Sequence, residues 1–359
     1  MELLTPVHIG SGVQLYENID YFIQYDKEAE SNYIGVIDSK KVCEAIGEDN
    51  IPRWVQAIER GDNLFKFIKT LNKNVLPETI TRRIIFTWDT KDTIKECMQT
   101  ITPDGRGKDR PVIPGSSIKG AIRTALLATS IEAANPLTEI SKGKRVSSSD
   151  IEKKVFNEKD LKESFMKSLR VGDALFLPED TYAYMASSLN YRVSREDMYD
   201  KKLDGLIEAI PEESSASFNI AIDPEKLQAI RCGTIKQLFE RINIHTQKLL
   251  KEELEICNTE FSEVHDNHLV NYIEWIKKLL RNINHIIEQK QETCILRIGY
   301  GSGWRFITGA WTEQRPDFES IVVPASRFRP HEHEGYVFPK TRRLSLDDGP
   351  FGFVKLSIR

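Results

Sequence analysis

Pro111-Val-Ile-Pro-Gly-Ser-Ser-Ile-Lys-Gly-Ala-Ile-Arg123 is the stretch on which the reading of this chain turns. Pro114-Gly115 reverses the chain, and Ser116 or Ser117 is placed to cap a helix. Ile118, Ile122, Ala125, Leu126 and Thr129 then fall on one stripe, which predicts a helix over 116–134 with that stripe buried. The N–H groups of its first turn make an anion site. Lys119 and Arg123 lie four residues apart and share a face. Gly120 between them costs about 1 kcal/mol of helix stability relative to alanine, a cost that makes sense where another chain must approach the backbone. The plainer reading of the same residues is a capped helix with basic side chains lying along its surface.

Upstream, Leu3–Ile9 has strand character and runs into Gly10-Ser11-Gly12. Ile19–Tyr25 and Tyr33–Ile37 form a predicted hairpin, Ser39 a helix cap, and residues 51–71 one or two helices broken at Gly61-Asp62. Thr81–Trp88 returns to strand, and Pro103–Arg110 reads as a loop that buries almost nothing. Downstream, residues 135–160 are a polar crossing. Further strands are expected at Arg170–Leu177, Tyr182–Val193, Gly205–Ile210 and Ser217–Ile222.

Two long amphipathic helices follow, Pro224–Glu255 and Glu263–Gln291, parted at Asn258-Thr-Glu, then strands at Ile295–Ile298 and Phe351–Ile358. Strands and helices interleaved without regular alternation indicate an α+β fold with helices on one face of a sheet. Three segments are expected: a core over 1–222 with inserted helices around 39–72, a helical segment over 223–292, and a return to the core over 293–359.

The net charge of −4 excludes a chain coated in positive charge, but two stretches depart from the average. Arg106, Lys108, Arg110, Lys119 and Arg123 stand against two acidic residues between 103 and 123. Arg327, Arg329, Lys340, Arg342 and Arg343 stand against Glu332 and Glu334 between 325 and 345. Each stretch nets +3; taken singly, either is an ordinary solvated face. Five scattered cysteines without a Cys-x-x-Cys pair indicate neither a disulfide framework nor a zinc ribbon. No basic segment followed by an apolar run opens the chain and no stretch is long enough to span a bilayer, so a cytoplasmic, membrane-free setting is expected.

Gly299-Tyr-Gly-Ser-Gly303, followed by Trp304 and Arg305, frees the backbone to wrap an anion or to pass beneath another chain. It lacks the further glycine of a dinucleotide site and the Gly-Lys-Ser/Thr of a P-loop, so no cofactor is expected. Thr5-Pro-Val-His-Ile-Gly-Ser-Gly12 places His8 beside another glycine turn. There it is a structural or RNA-contacting group or, alternatively, the general base of a metal-independent endoribonuclease. His331-Glu-His-Glu334 and the His265/His268 pair lack a third ligand nearby, so no metal is expected.

Thr5–Gly12, Ile113–Arg123, Arg297–Trp304 and Pro339-Lys-Thr-Arg-Arg343, in that order, resemble the RAMP superfamily of CRISPR proteins. They look specifically like the type III-A (Csm) subunit that caps the guide at its 3′ end. The resemblance implies an RRM- or ferredoxin-like core with helical insertions and a C-terminal helix pair. It also implies a non-catalytic role in crRNA binding, crRNA maturation and assembly with backbone and small subunits, and visits from trimming nucleases. The RNA-facing residues would be His8, Gly10, Ser11, Gly12, Arg106, Arg110, Ser116, Ser117, Lys119, Arg123, Gly299, Gly301, Ser302, Gly303, Arg305, Lys340, Arg342 and Arg343. The related backbone subunit cuts RNA through a loop aspartate; Asp104 and Asp109 lie in a loop here, without a motif that equates them with it. A scaffold that touches only proteins through its helix pair is the remaining alternative.

Overall fold

The computed structural model describes residues 1–28, 30–87, 94–102, 107–130, 165–192, 197–223, 225, 232–307, 313, 318, 320, 336–345 and 349–358. Asp104, Arg106, Arg327, Arg329, His331–Glu334, the crossing at 135–160 and residues 226–231 of the helix predicted from Pro224 lie outside them.

The chain opens on β1 (Glu2–Leu3), much shorter than the predicted strand over 3–9. Pro6 has no N–H to give to a ladder, and beyond it only single bridges remain, Val7 to Ile210 and Gly10 to Met98. The hairpin β2 (Tyr21–Asp26) and β3 (Ser31–Ile37) pairs antiparallel from Tyr21–Val36 to Asp26–Ser31. Tyr21 and Phe22 are both fully buried because successive strand residues face opposite sides and this sheet is covered on both.

On the Phe22 side lie α1 (Ser39–Ile46), α2 (Ile51–Glu59) and α3 (Leu64–Leu71). Phe22 stacks on Phe65 at 4.7 Å, and a Cβ at Gly35 would strike the Phe22 ring at 2.4 Å, so that glycine makes the room. Asp38, not Ser39, caps α1; its carboxylate accepts from the Lys40 and Lys41 N–H groups.

β4 (Thr81–Thr87) joins β3 antiparallel, and its burial alternates as a two-sided strand should. Short β5 (Ile94–Glu96) and β6 (Arg110–Ile113) lead into α4 (Gly115–Ser130). Beyond the crossing, β7 (Tyr182–Arg192) and β8 (Gly205–Ala209) extend a sheet whose path runs β2-β3-β4-β7-β8-β5, and a strand from the end of the chain adds a seventh by pairing with β7. The β4–β7 and β8–β5 pairings are parallel.

The helix pair is α5 (Ile235–Glu260), capped by Thr234, and α6 (Asn267–Glu288), capped by Asp266. The break falls at 261–266, not at Asn258-Thr-Glu, because Thr259 bonds back to the Glu255 carbonyl inside the helix. β9 (Thr293–Arg297), β10 (Tyr336–Leu344) and β11 (Phe353–Ser357) close the chain. β10 lies along β7, while β1, β11 and β9 form a second sheet. Helices therefore serve two main sheets, not one face of a single sheet.

The outer edge of β9 is covered by side chains of α5. Asn243 bonds the Thr293 carbonyl and the Ile295 N–H at 2.8 and 3.0 Å, and Thr246 bonds the Ile295 carbonyl at 2.8 Å. Ile118, Ile122, Leu238, Ile242, Leu296 and Val354 share one core cluster, so α4, α5, β9 and β11 pack as one layer behind the motifs of interest.

Candidate nucleic-acid interface

Leaving β9, the chain places Gly299, Gly301 and Gly303 at φ of 72°, 73° and 73°, the left-handed region that glycine alone enters cheaply. At Gly299 the requirement is also one of space: an added Cβ would sit 2.4 Å from the His8 carbonyl oxygen, which accepts from the Tyr300 N–H at 2.9 Å. The segment around His8 thus passes directly over the glycine loop. A Cβ at Gly301 would press on Arg343 and Phe351, bringing in β10. α4 packs against the Trp304–Phe306 turn that follows the loop. Four motifs separated in the sequence therefore meet in one region.

Within that region the side chains differ in what they can reach. α4 starts at Gly115, whose N–H goes to the Asp173 carboxylate at 2.7 Å, so Asp173 takes the capping role expected of Ser116 or Ser117. Ser116 is exposed and Ser117 half-buried. Lys119 is half-buried with no carboxylate partner among the described residues. A Cβ at Gly120 would meet nothing within 4 Å, so the backbone there is open to an approaching chain. Arg123 is half-buried, and burial pulls its guanidinium below the usual arginine range. Gly10 and Gly12 are exposed, while Ser11 bonds the Cys97 carbonyl at 3.1 Å. Lys340 lies over the Tyr336 ring at 4.9 Å, and Arg343 lies over Tyr300 at 5.8 Å and donates to Ser188 at 2.6 Å.

Other predicted contacts turn inward. His8 is 1% exposed; its Nδ1 meets the Glu208 carbonyl at 2.5 Å and its ring stands edge-on to Tyr300 at 5.6 Å. Buried and bonded in this way, His8 is a structural latch between β8 and the glycine loop. Ser302 is buried and donates to the Gly299 carbonyl at 2.7 Å, fastening the loop to itself. Arg342, next to Arg343 but on the opposite side of β10, forks onto Glu253 at 2.7 Å through both Nε and Nη2. Arg305 binds Glu313 at 2.8 Å, and Arg110 donates to the Phe176 carbonyl at 2.7 Å. Asp109 is 3% exposed and held by Arg83 at 3.0 Å, so the loop aspartate is an internal ion-pair partner and its loop is not free of buried groups.

Sequence reasoning missed the buried charges. Glu208 takes both arms of Arg83 at 2.7 and 2.9 Å and the Met98 N–H at 2.9 Å. Glu253 accepts from Arg342, Tyr191 and Tyr272. Burial pushes its carboxyl up, but Arg342 and Arg305 outweigh burial and hold it at about 2. The signal was there for Glu253: with Leu249, Leu250 and Cys257 it lies on the apolar stripe of α5, where a carboxylate must have a partner.

Comparison with known proteins follows the same outline. The RAMP superfamily model matches residues 1–306. CRISPR system Cms protein Csm5 of Methanocaldococcus jannaschii is 26% identical over 325 residues, covering 84% of this chain and 70% of that protein. A chain of the cryo-EM structure of a Csm-crRNA-target RNA ternary complex of a type III-A CRISPR-Cas system superposes with a TM-score of 0.64. It is 21% identical, with 99% of this chain and 98% of that one covered. The crystal structure of T. onnurineus Csm5 superposes with a TM-score of 0.58 at 17% identity, covering 99% of each chain. At these identities the two structures show shared α+β architecture, and the family match over most of the chain agrees with them: the chain belongs to the RAMP superfamily.

Proposed function

We propose that this chain is a non-catalytic crRNA-binding subunit of a type III-A CRISPR ribonucleoprotein. In this reading it caps the 3′ end of the guide, supports crRNA maturation, and contacts backbone and small subunits in a cytoplasmic particle. The observation that carries the reading is the meeting of α4, the His8–Ile9 segment, the glycine loop and β10 on one region that keeps Lys119, Arg123, Lys340 and Arg343 near its surface. Cations on separate segments, open backbone at Gly120 and exposed glycines suit a grip on ribose and phosphate that ignores base identity. The names of the matched relative and of the complex point the same way. His8 and Asp109, the side chains with which cleavage could have been argued, are both buried in internal bonds, which supports a binding role. Among the described residues no helix is long and apolar enough to cross a membrane.

The test is charge reversal at Lys119 and Arg123 together, read as guide RNA retained by the purified assembly. Each lost phosphate contact lowers the salt dependence of binding by about one unit of slope, so the variant is expected to retain less guide and to show a shallower dependence on salt between about 50 and 200 mM. Unchanged retention, with the variant folded and incorporated, defeats the reading.

A further inference from the structure

Between the glycine loop, α5 and α6 lies a small cleft, part of it open to solvent. Its lining brings together Arg297, Arg305 and Arg342 with Glu253 as the only carboxylate. Arg342 is matched to Glu253, and Arg305 to Glu313 at 2.8 Å with Glu253 again at 3.8 Å. Arg297 is different. It is 7% exposed, its Nε donates to the Phe351 carbonyl at 2.9 Å, and its guanidinium lies over the Phe306 and Phe353 rings at 5.2 and 4.8 Å. No carboxylate pairs with it among the described residues, and its two terminal nitrogens have no hydrogen-bond acceptor there. Arg305 Nη1 is buried without a hydrogen bond, with Glu253 Oε2 beyond hydrogen-bond reach at 3.8 Å.

A buried cation is costly unless it is paired and its donors are satisfied. Burial lowers the pKa of Arg297 only to about 10, with Tyr272 and the more distant Glu253 opposing it, so the guanidinium stays charged. They give nothing to the donors at the end of the fork. Among the described residues, three guanidiniums against Glu253 and Glu313 leave one positive charge over.

We propose that the cleft is a phosphate-binding site in which Arg297 and Arg305 Nη1 donate to the anion beside the glycine loop. The donors come from the end of β9 and from the turn after the loop, and a tetrahedral oxyanion, whose acceptors are not confined to one plane, can take hydrogen bonds from both. The phosphate is either a group on a bound RNA strand or a free ion. Either source completes the unmatched charge, and the site stands independently of the α4 surface.

The experiment uses the full chain. Inorganic phosphate is titrated against sodium chloride at equal ionic strength and followed by thermal unfolding and calorimetry. Wild type is expected to show a higher Tm in phosphate, and Arg297→Lys, which keeps the charge but loses the fork, to bind roughly tenfold more weakly. Arg305→Gln gives the same readout should Arg297→Lys fail to fold. Equal Tm in phosphate and chloride for wild type, or unchanged affinity in the folded variants, overturns the site. Competition with short RNAs ending in a 3′-phosphate or a 3′-hydroxyl assigns the source: displacement of inorganic phosphate only by the phosphorylated RNA indicates an RNA end, displacement by both an internal phosphodiester, and displacement by neither a free ion. Charge reversal at Lys119 and Arg123 should leave phosphate binding intact, so the RNA reading and this site fail separately.

Discussion

Two buried ionic networks lie in this molecule, and they are built differently. Beneath the seven-stranded sheet, Arg83 is surrounded by Glu208 and Asp109, and every arm of its guanidinium ends on a carboxylate. Beside the glycine loop, Glu253 is shared by Arg342 and Arg305 while Arg297 is left to aromatic rings. The first network is closed, and its bonds tie β4 to β8 and to the loop before β6. The second has donors to spare and borders a cleft. Buried charge of the first kind serves the fold; an excess of the second kind points to something from outside.

The largest effect should come from opening the closed network. Glu208→Ala leaves Arg83 with Asp109 alone and the Met98 N–H without its acceptor in the interior, and a loss of about 3–5 kcal/mol is expected by urea denaturation. Phosphate should recover none of it. Glu253→Ala, at a comparable cost, should be partly rescued by phosphate, because an anion in the cleft replaces the missing carboxylate. Equal behaviour of the two variants in phosphate would erase the distinction between the networks.

Next in size is acid sensitivity on the cleft side. His245 is buried near Phe306, and burial, helped by Lys248, pulls its pKa from 6.5 to about 4. Between those values the unfolded chain holds the proton and the folded chain does not, so stability falls as pH drops from 6.5 toward 4. The full loss is about 3 kcal/mol by linkage. Glu253, held at about 2, adds its own loss only below the ordinary carboxylate range. His245→Gln should flatten the profile between pH 6.5 and 4; an unchanged slope would place the sensitivity elsewhere.

The smallest effects compare two glycines. Gly299→Ala must hold a left-handed backbone and displace the His8 carbonyl, at about 2 kcal/mol or more. Gly120→Ala meets open space on a helix and should stabilise by about 0.5–1 kcal/mol while weakening RNA retention. Destabilisation at both sites, seen by thermal unfolding, would mean that Gly120 is structural too.

Much of the fold could be read directly. The β2–β3 hairpin, the α2–α3 break, the strand at 81–87 and the long helix pair all emerge at or near their predicted places, because period and turn chemistry are local properties. The misreadings are equally local in origin. Ser39, Ser116 and Ser117 are good caps, but Asp38 and the distant Asp173 are there first. Arg342 and Arg343 look alike in sequence, and strand alternation sends one to Glu253 and the other to Ser188.

The amino-acid sequence alone determined the order of elements, the glycine positions that must adopt unusual backbone, and the four motifs that mark the family. Only the tertiary structure decided which charged residues face one another. Glu208 and Arg83 are 125 residues apart, and Glu253 and Arg342 are 89 apart. No local pattern links such partners, because a buried charge is selected by its neighbours in space, and the chain chooses those neighbours only when its sheets close.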